Sequence, residues 1–372
     1  MTPRGVDPEP GLGAGRAAAL RSDLLAWYRA NRRDLPWRRT RDPYAIWLSE
    51  AMLQQTRVET VIPYWERFLA RFPSVEALAE ADLEAVYGMW AGLGYYSRAR
   101  NLHAAARAIV ERHGGALPSE PSLLRELPGV GRYTAGAIAS IAFGRPEPVL
   151  DGNVERVLAR ILPVREDVKA KAGAARLWAA AAALAGGPSP GDVNQALMEL
   201  GALVCTPRAP RCLACPVRAH CAAQAEGDAE LLPVRPARSA PRPVRAVAAL
   251  VLRGGRALFV KRPAGGLLGG LWELPGGELA RGEKPDDAVR RHLRERTGLE
   301  LDALAPAGEV EHVFTHRHLR LRLFRADAAP GRVRLDGIEA HRWLAPARAG
   351  ELAHGTLLAK ALRRALGETG PA

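Results

Sequence analysis

Two periodicities divide this chain. From Ala17 to about Cys221, Ala, Leu and other apolar residues recur at three- and four-residue spacing, punctuated by Pro and Gly. That spacing predicts amphipathic helices, among them segments 49–70, 98–112, 133–143 and 192–204. No strand-like alternation interrupts them. Beyond residue 245 the period changes. The apolar runs Ala246–Leu252 and Arg256–Lys261 flank Arg253-Gly254-Gly255, which predicts a hairpin. Asp286–Arg296 has helical spacing. Val310–Phe314 and Arg317–Arg325 read as strands, the second alternating Leu with Arg or His. Between the regions lies Leu232–Arg245, a Pro- and Arg-rich stretch expected to be an extended basic linker. Residues 1–15 are rich in Gly and Pro and lack periodicity, so they are expected to be disordered. The expected fold class is multidomain: an all-α domain over residues 16–231, then an α+β domain over 246–370.

Composition narrows the function only a little. A chain of 372 residues suits two domains, and 48% hydrophobic content is ample for their cores. No apolar run is long enough to span a bilayer, so no membrane partner is expected. The net charge of +13 and a pI near 10.2 suggest a polyanionic partner. The charge is uneven. Residues 1–235 carry 29 Lys+Arg against 25 Asp+Glu, a surplus of 4, and residues 236–372 carry 24 against 15, a surplus of 9.

Four cysteines add chemistry. Cys205, Cys212, Cys215 and Cys221 are spaced C-x6-C-x2-C-x5-C, and the chain has no others. Four thiolates within 17 residues form a compact soft-ligand cage, which selects an iron–sulfur cluster or zinc. Zinc sites usually pair their ligands as two short knuckles, and here only Cys212 and Cys215 form one. Two disulfides would need an oxidising compartment, and the N-terminus has nothing like an export signal. A [4Fe–4S] cluster and a cytoplasmic location are the expectations.

Two further motifs are weak alone. Leu127-Pro128-Gly129-Val130-Gly131 precedes a helix and offers backbone N–H groups to a phosphate oxygen. Two glycines so close are more often simple turn punctuation. Asp151-Gly152-Asn153 would ordinarily be an Asx turn or helix cap. Together with the cysteine cage, however, they resemble the endonuclease III superfamily of helix-hairpin-helix DNA glycosylases, over roughly residues 20–225. Trp47-Leu48-Ser49-Glu50-Ala51-Met52-Leu53-Gln54-Gln55-Thr56 closely resembles a signature of the MutY-type adenine DNA glycosylases, as do Gly92-Leu93-Gly94-Tyr95-Tyr96 and Asp192-Val193-Asn194-Gln195-Ala196.

The resemblance implies roles. Asp151 is the superfamily's essential carboxylate and Glu50 the second one. Bifunctional members that cut the backbone have a Lys where this chain has Tyr133, and tyrosine cannot form an imine, so strong lyase chemistry is not expected. An adenine N-glycosidic bond breaks with oxocarbenium character, so Glu50 is expected to be the general acid with a raised pKa, and Asp151 an ionised stabiliser of the cation. Tyr133 and Asn153 are implied to hold and polarise this pair. Gln54 and Tyr95 match residues that wedge into the duplex, and Arg38 matches one that contacts the flipped base. Thr56, Gly129, Gly131 and Gln195 complete the implied DNA-binding set.

Gly277–Leu299 resembles a Nudix box, with Gly277, Glu283, Arg291, Glu295 and Gly298 at the family spacing. His292 and Arg296 replace two of its metal-holding glutamates, so pyrophosphatase activity is not expected. MutY-type proteins use such a domain to recognise 8-oxoguanine opposite adenine. Phe314-Thr315-His316 sits where that family has Phe-Ser-His, which implies that these three residues read the lesion. The implied partner is duplex DNA containing 8-oxoguanine:A or G:A mispairs, bound by a monomeric, nucleoid-associated bacterial protein. The alternatives are an oxidised-pyrimidine glycosylase with abasic lyase activity and a non-catalytic DNA-binding relative.

Overall fold

The computed structural model describes residues 12–236, 240–329 and 331–367. It divides into two compact units, residues 1–80 with 101–237 and residues 81–100 with 238–372.

The first unit is helical. Its described helices are α1 (Ala14–Asn31), α2 (Pro43–Leu53), α3 (Val58–Arg71), α4 (Val75–Glu80), α7 (Pro121–Arg125), α8 (Arg132–Ile141), α9 (Gly152–Ile161), α10 (Lys171–Ala185), α11 (Pro190–Leu203) and α12 (Ala222–Glu226), while α5 (Leu83–Trp90) belongs to the second unit and α6 (Ser97–His113) runs across the division. Helix α9 is central: every residue from Val154 to Ile161 is buried. Leu20, Leu24 and Tyr28 of α1, Val157 and Leu158 of α9, Leu177 of α10 and Leu197 and Leu200 of α11 form one core with it. Apolar residues at three- and four-residue spacing close that core, as the sequence pattern requires.

Several boundaries differ from expectation. Segment 49–70 is two helices, because the chain turns through Gln54–Arg57 with Gln55 left-handed at φ 60°. The expected disordered segment 1–15 lies outside the described residues up to position 11, while Ala14 and Gly15 are already helical. Leu232–Pro236 is held rather than loose: Arg160 donates to the Leu232 carbonyl at 3.0 Å, and Arg235 pairs with buried Glu155 at 2.5 Å. Part of the remaining linker, 237–239, lies outside the described residues.

The second unit is built on a mixed sheet in the order β3-β2-β1-β6-β5. Its strands are β1 (Arg242–Arg253), β2 (Arg256–Lys261), β3 (Trp272–Glu273), β4 (Gly276–Glu278), β5 (Leu301–Val313), β6 (Arg317–Ala328) and β7 (Ala340–Leu344). The hairpin forms as read, with Arg253 opposite Arg256 and both turn glycines at positive φ. β1 runs parallel to β6, and β5 antiparallel to it. Helix α13 (Pro285–Thr297) packs Val289 and Leu293 against Val247, Val251 and Phe324, and α14 (Thr356–Ala365) follows at the end. Segment 81–100 folds with this sheet. Lys261 pairs with Glu84 at 3.1 Å, and the Tyr96 hydroxyl donates to the His354 carbonyl at 2.7 Å.

Candidate active site

A cleft of about 690 Å³ opens in the helical unit, lined by residues of α2, α8, α9 and α11. Four sequence segments far apart in the chain meet there. Glu50 comes from α2, where Asp42 caps the helix by accepting from Tyr44 and Ala45 N–H groups. Tyr133 comes from the first turn of α8, which starts where the Gly129-Val130-Gly131 turn ends. Gly129 adopts φ +77°, a conformation that costs a side-chain-bearing residue strain, and a Cβ there would lie 2.7 Å from Asn101 Cβ. Asp151 is the cap of α9, and Asn153 lies within its first turn.

Glu50 is 6% exposed. Tyr133 donates its hydroxyl proton to Glu50 Oε2 at 2.8 Å, and Met198 Sδ lies 3.2 Å from the Tyr133 hydroxyl oxygen. Burial pushes the Glu50 carboxyl up to about 7, and the nearby Asp151 charge adds to that push, while the Tyr133 hydrogen bond and Arg38 oppose it. Tyr133 itself is held well above its ordinary value by burial, so it keeps its proton.

Asp151 is fixed more tightly. Its Oδ1 accepts from the backbone N–H of Asn153 at 2.9 Å and of Val154 at 2.7 Å, and its Oδ2 accepts from Asn153 Nδ2 at 3.1 Å. Burial pushes its carboxyl upward too, against the pull of those three donors and Arg156. The two carboxyls therefore differ in how many donors restrain them, not in the direction of their shift. Behind Asp151, Arg156 donates to Asn153 Oδ1 at 2.9 Å and to the backbone carbonyls of Gly201 and Cys205, each at 2.7 Å. Gly201 permits this close packing, since a Cβ there would lie 2.6 Å from Asn153 Cβ.

Arg38 lines the cleft, but its fork is already engaged. It donates to both oxygens of Glu199 at 3.0 Å, and Arg33 grips the same carboxylate at 2.7–3.0 Å. Burial pushes Glu199 up, yet the Arg33 and Arg38 donors outweigh it and hold the carboxyl at about 2. Sequence reading missed Glu199, Arg33 and Arg156. The available signal was a Glu four residues after Gln195, among the apolar residues of the second half of α11. Gln54, Thr56 and Gln195 also line the cleft.

The four cysteines line one small cavity with Arg160, Arg211 and Arg218. Arg160 donates to Cys205 Sγ at 3.3 Å and to the Thr206 carbonyl at 2.7 Å. Among the described residues, no three His, Cys, Asp or Glu side chains are grouped to hold one metal ion.

Residues 48–182 match the HhH-GPD superfamily of base excision DNA repair proteins, and residues 246–364 match the NUDIX domain family. The protein named adenine DNA glycosylase of Mus musculus is 40% identical, aligned over 88% of this chain and 74% of its own. That of Homo sapiens is 39% identical over 82% of this chain and 66% of its own. The chain belongs to the adenine DNA glycosylase family. It is a DNA glycosylase of base excision repair that acts on adenine. Among solved structures, a thermostable thymine-DNA glycosylase is 30% identical, with a TM-score of 0.52 over 56% of this chain and 97% of that one. Among the described residues, no helix of this glycosylase is long and apolar enough to cross a membrane.

In the second unit of this adenine DNA glycosylase, two expected DNA-contacting residues come together across 220 positions. The Tyr95 hydroxyl and Thr315 Oγ1 lie 3.0 Å apart. Tyr95 is left-handed at φ 48° and half exposed, with the Arg98 guanidinium 5.6 Å from its ring centroid. Phe314 packs edge-on against His312, and its N–H donates to the Arg317 carbonyl at 2.7 Å, which closes the β5–β6 turn. The His316 carbonyl accepts from Arg242 N–H at 3.0 Å.

Proposed function

We propose that this glycosylase removes adenine from 8-oxoguanine:A and G:A mispairs by acid-assisted hydrolysis, without cutting the strand. The observation that carries the reading is a pair of buried carboxyls in one cleft: Glu50, pushed up to about 7 with one hydrogen bond to Tyr133, and Asp151, restrained by three N–H donors. Glu50 is then protonated in a useful fraction of molecules near neutral pH and donates its proton to a ring nitrogen of the adenine as the C1′–N bond breaks. The bonding pair leaves with the base. Asp151, ionising more readily, stabilises the positive charge on the sugar. A water then adds to C1′ and returns its proton to Glu50. Tyr133 keeps Glu50 in place, and Asn153 does the same for Asp151. Without an amine at position 133 the chain has no imine route, so strand scission should require added alkali.

Cys205, Cys212, Cys215 and Cys221 are proposed to hold a [4Fe–4S] cluster. They share one cavity, and their C-x6-C-x2-C-x5-C spacing has only one of the two short knuckles usual for zinc. The adjacent arginines suit the negative charge of a thiolate-ligated cluster. The cluster would supply a structural anchor for the loop, and no step of the hydrolysis needs it. Phe314, Thr315 and His316 are proposed to read the base opposite the adenine, with Tyr95 and Gln54 wedging into the duplex.

The test is a single-turnover cleavage assay on 8-oxoguanine:A, G:A and oxidised-pyrimidine duplexes, with and without alkali. Alkali-dependent scission at the adenine of the first two is expected. Scission at an oxidised pyrimidine without alkali would replace this reading with a lyase, and near-wild-type cleavage by Glu50→Gln would remove Glu50 from the acid role.

A further inference from the structure

Arg132 begins α8 and is exposed, and its guanidinium lies 3.7 Å from the Trp178 ring centroid on α10. Other Arg-on-ring contacts among the described residues lie at 4.5 to 5.8 Å, so this one is in full face contact. What it lacks is an acceptor. Among the described residues no carboxylate or carbonyl engages Arg132. Arg33 and Arg38 beside the cleft are engaged by Glu199, and Arg156 by Asn153 and three carbonyls.

An exposed arginine side chain ordinarily samples many rotamers, and fixing it costs conformational entropy when it binds. Stacking on an indole face fixes the guanidinium plane in advance and leaves its N–H edges pointing outward. Five donors in a rigid fork match phosphate oxygens. Such a cation has a use in a protein whose substrate is a polyanion. We propose that Arg132 is a phosphate-binding residue for the DNA backbone and that Trp178 is its positioning residue. The proposal rests on DNA being the substrate, not on which base is removed.

The test is the affinity of the full chain for an undamaged duplex oligonucleotide over a salt series. Losing one phosphate contact should reduce the slope of log K against log salt by about 0.9 in Arg132→Ala. The same variant should weaken binding to a duplex with an 8-oxoguanine:A mispair by a similar factor. Trp178→Ala should weaken binding, Trp178→Phe should restore it, and the double variant should bind no more weakly than Arg132→Ala alone. An unchanged salt slope in Arg132→Ala overturns the proposal, because the stack is then only packing. Full additivity of the two alanine variants overturns the positioning role. If Trp178→Ala does not fold, the slope of Arg132→Ala and the affinity of Trp178→Phe decide the question alone.

Discussion

Tyr133→Phe isolates the proton chemistry of Glu50. The change removes only the phenolic hydroxyl, which donates to Glu50 Oε2 at 2.8 Å. A hydrogen bond to a charged group is worth about 1.5–3 kcal/mol when it is removed. Since one pKa unit corresponds to about 1.4 kcal/mol, the loss is about 1 to 2 units. The sign follows from which form the donor favours. Tyr133 stabilises the ionised carboxylate and pulls Glu50 down, so its loss lifts Glu50 further above about 7. A general acid must carry its proton, so the rate of base release falls as pH rises through that value. The alkaline limb of the single-turnover profile should therefore move to higher pH by about 1 to 2 units in Tyr133→Phe. Asp151→Asn supplies the opposite sign. The Asp151 charge raises Glu50, so removing it should move the limb of the residual activity to lower pH. Base release from an 8-oxoguanine:A duplex, followed between about pH 5 and pH 10, reads both shifts. A limb that stays in place in Tyr133→Phe, or moves to lower pH, refutes Glu50 as the titrating acid.

Glu50 should also act on stability. Its folded value of about 7 lies above its ordinary 4.5, so its favourable contribution is full below about pH 4.5 and is lost as pH rises through about 7. That shift of about 2.5 units corresponds to on the order of 3 kcal/mol; Glu50→Gln should escape the loss in urea titrations, and an equal loss in both proteins would contradict the assignment. Gly201→Ala places a Cβ 2.6 Å from Asn153 Cβ. Overpacking of this kind should cost about 1–3 kcal/mol and slow base release as Asp151 shifts, so wild-type rates and denaturation midpoint would count against the packing argument. Thr315→Val removes the hydroxyl next to Tyr95. A lost neutral hydrogen bond is worth about 0.5–1.5 kcal/mol, so preference for 8-oxoguanine:A over G:A should fall by about 2- to 12-fold, and an unchanged ratio would remove Thr315 from lesion reading.

The parts of this site legible in the sequence are those with a local signature. Asp151 precedes a helix as an Asx-type cap, and its backbone partners Asn153 and Val154 follow directly. The change from a helical to an alternating period separated the helical core from the sheet. The rest depends on contacts that no short window contains. Glu50 and Asp151 are 101 positions apart, and only the packing of α2, α8, α9 and α11 lets one raise the other's pKa. Arg156 reads as one basic residue on a helix, whereas in the fold it joins Asn153, Gly201 and Cys205. Segment 81–100 has the helical period of the first unit but packs with the sheet of the second, because Glu84 and Tyr96 find their partners at Lys261 and His354. Periodicity identifies a helix without identifying what it packs against.

The Nudix-like sheet carries the same lesson into function. The sequence shows two missing metal ligands, His292 and Arg296. The structure shows that the acids left behind have cationic partners as well. Glu283 takes two hydrogen bonds from Arg291, at 2.7 and 2.9 Å, and Arg291 also reaches Glu295 at 3.1 Å. Glu273 is shared by Arg262 at 2.9 Å and Arg296 at 3.4 Å. A divalent ion would have to displace these guanidiniums before gaining a single oxygen ligand, and Arg296 would repel it from the centre of the box. Loss of two carboxylates with internal pairing of the others disfavours metal-dependent hydrolysis here, in keeping with the recognition role proposed for Phe314, Thr315, His316 and Tyr95.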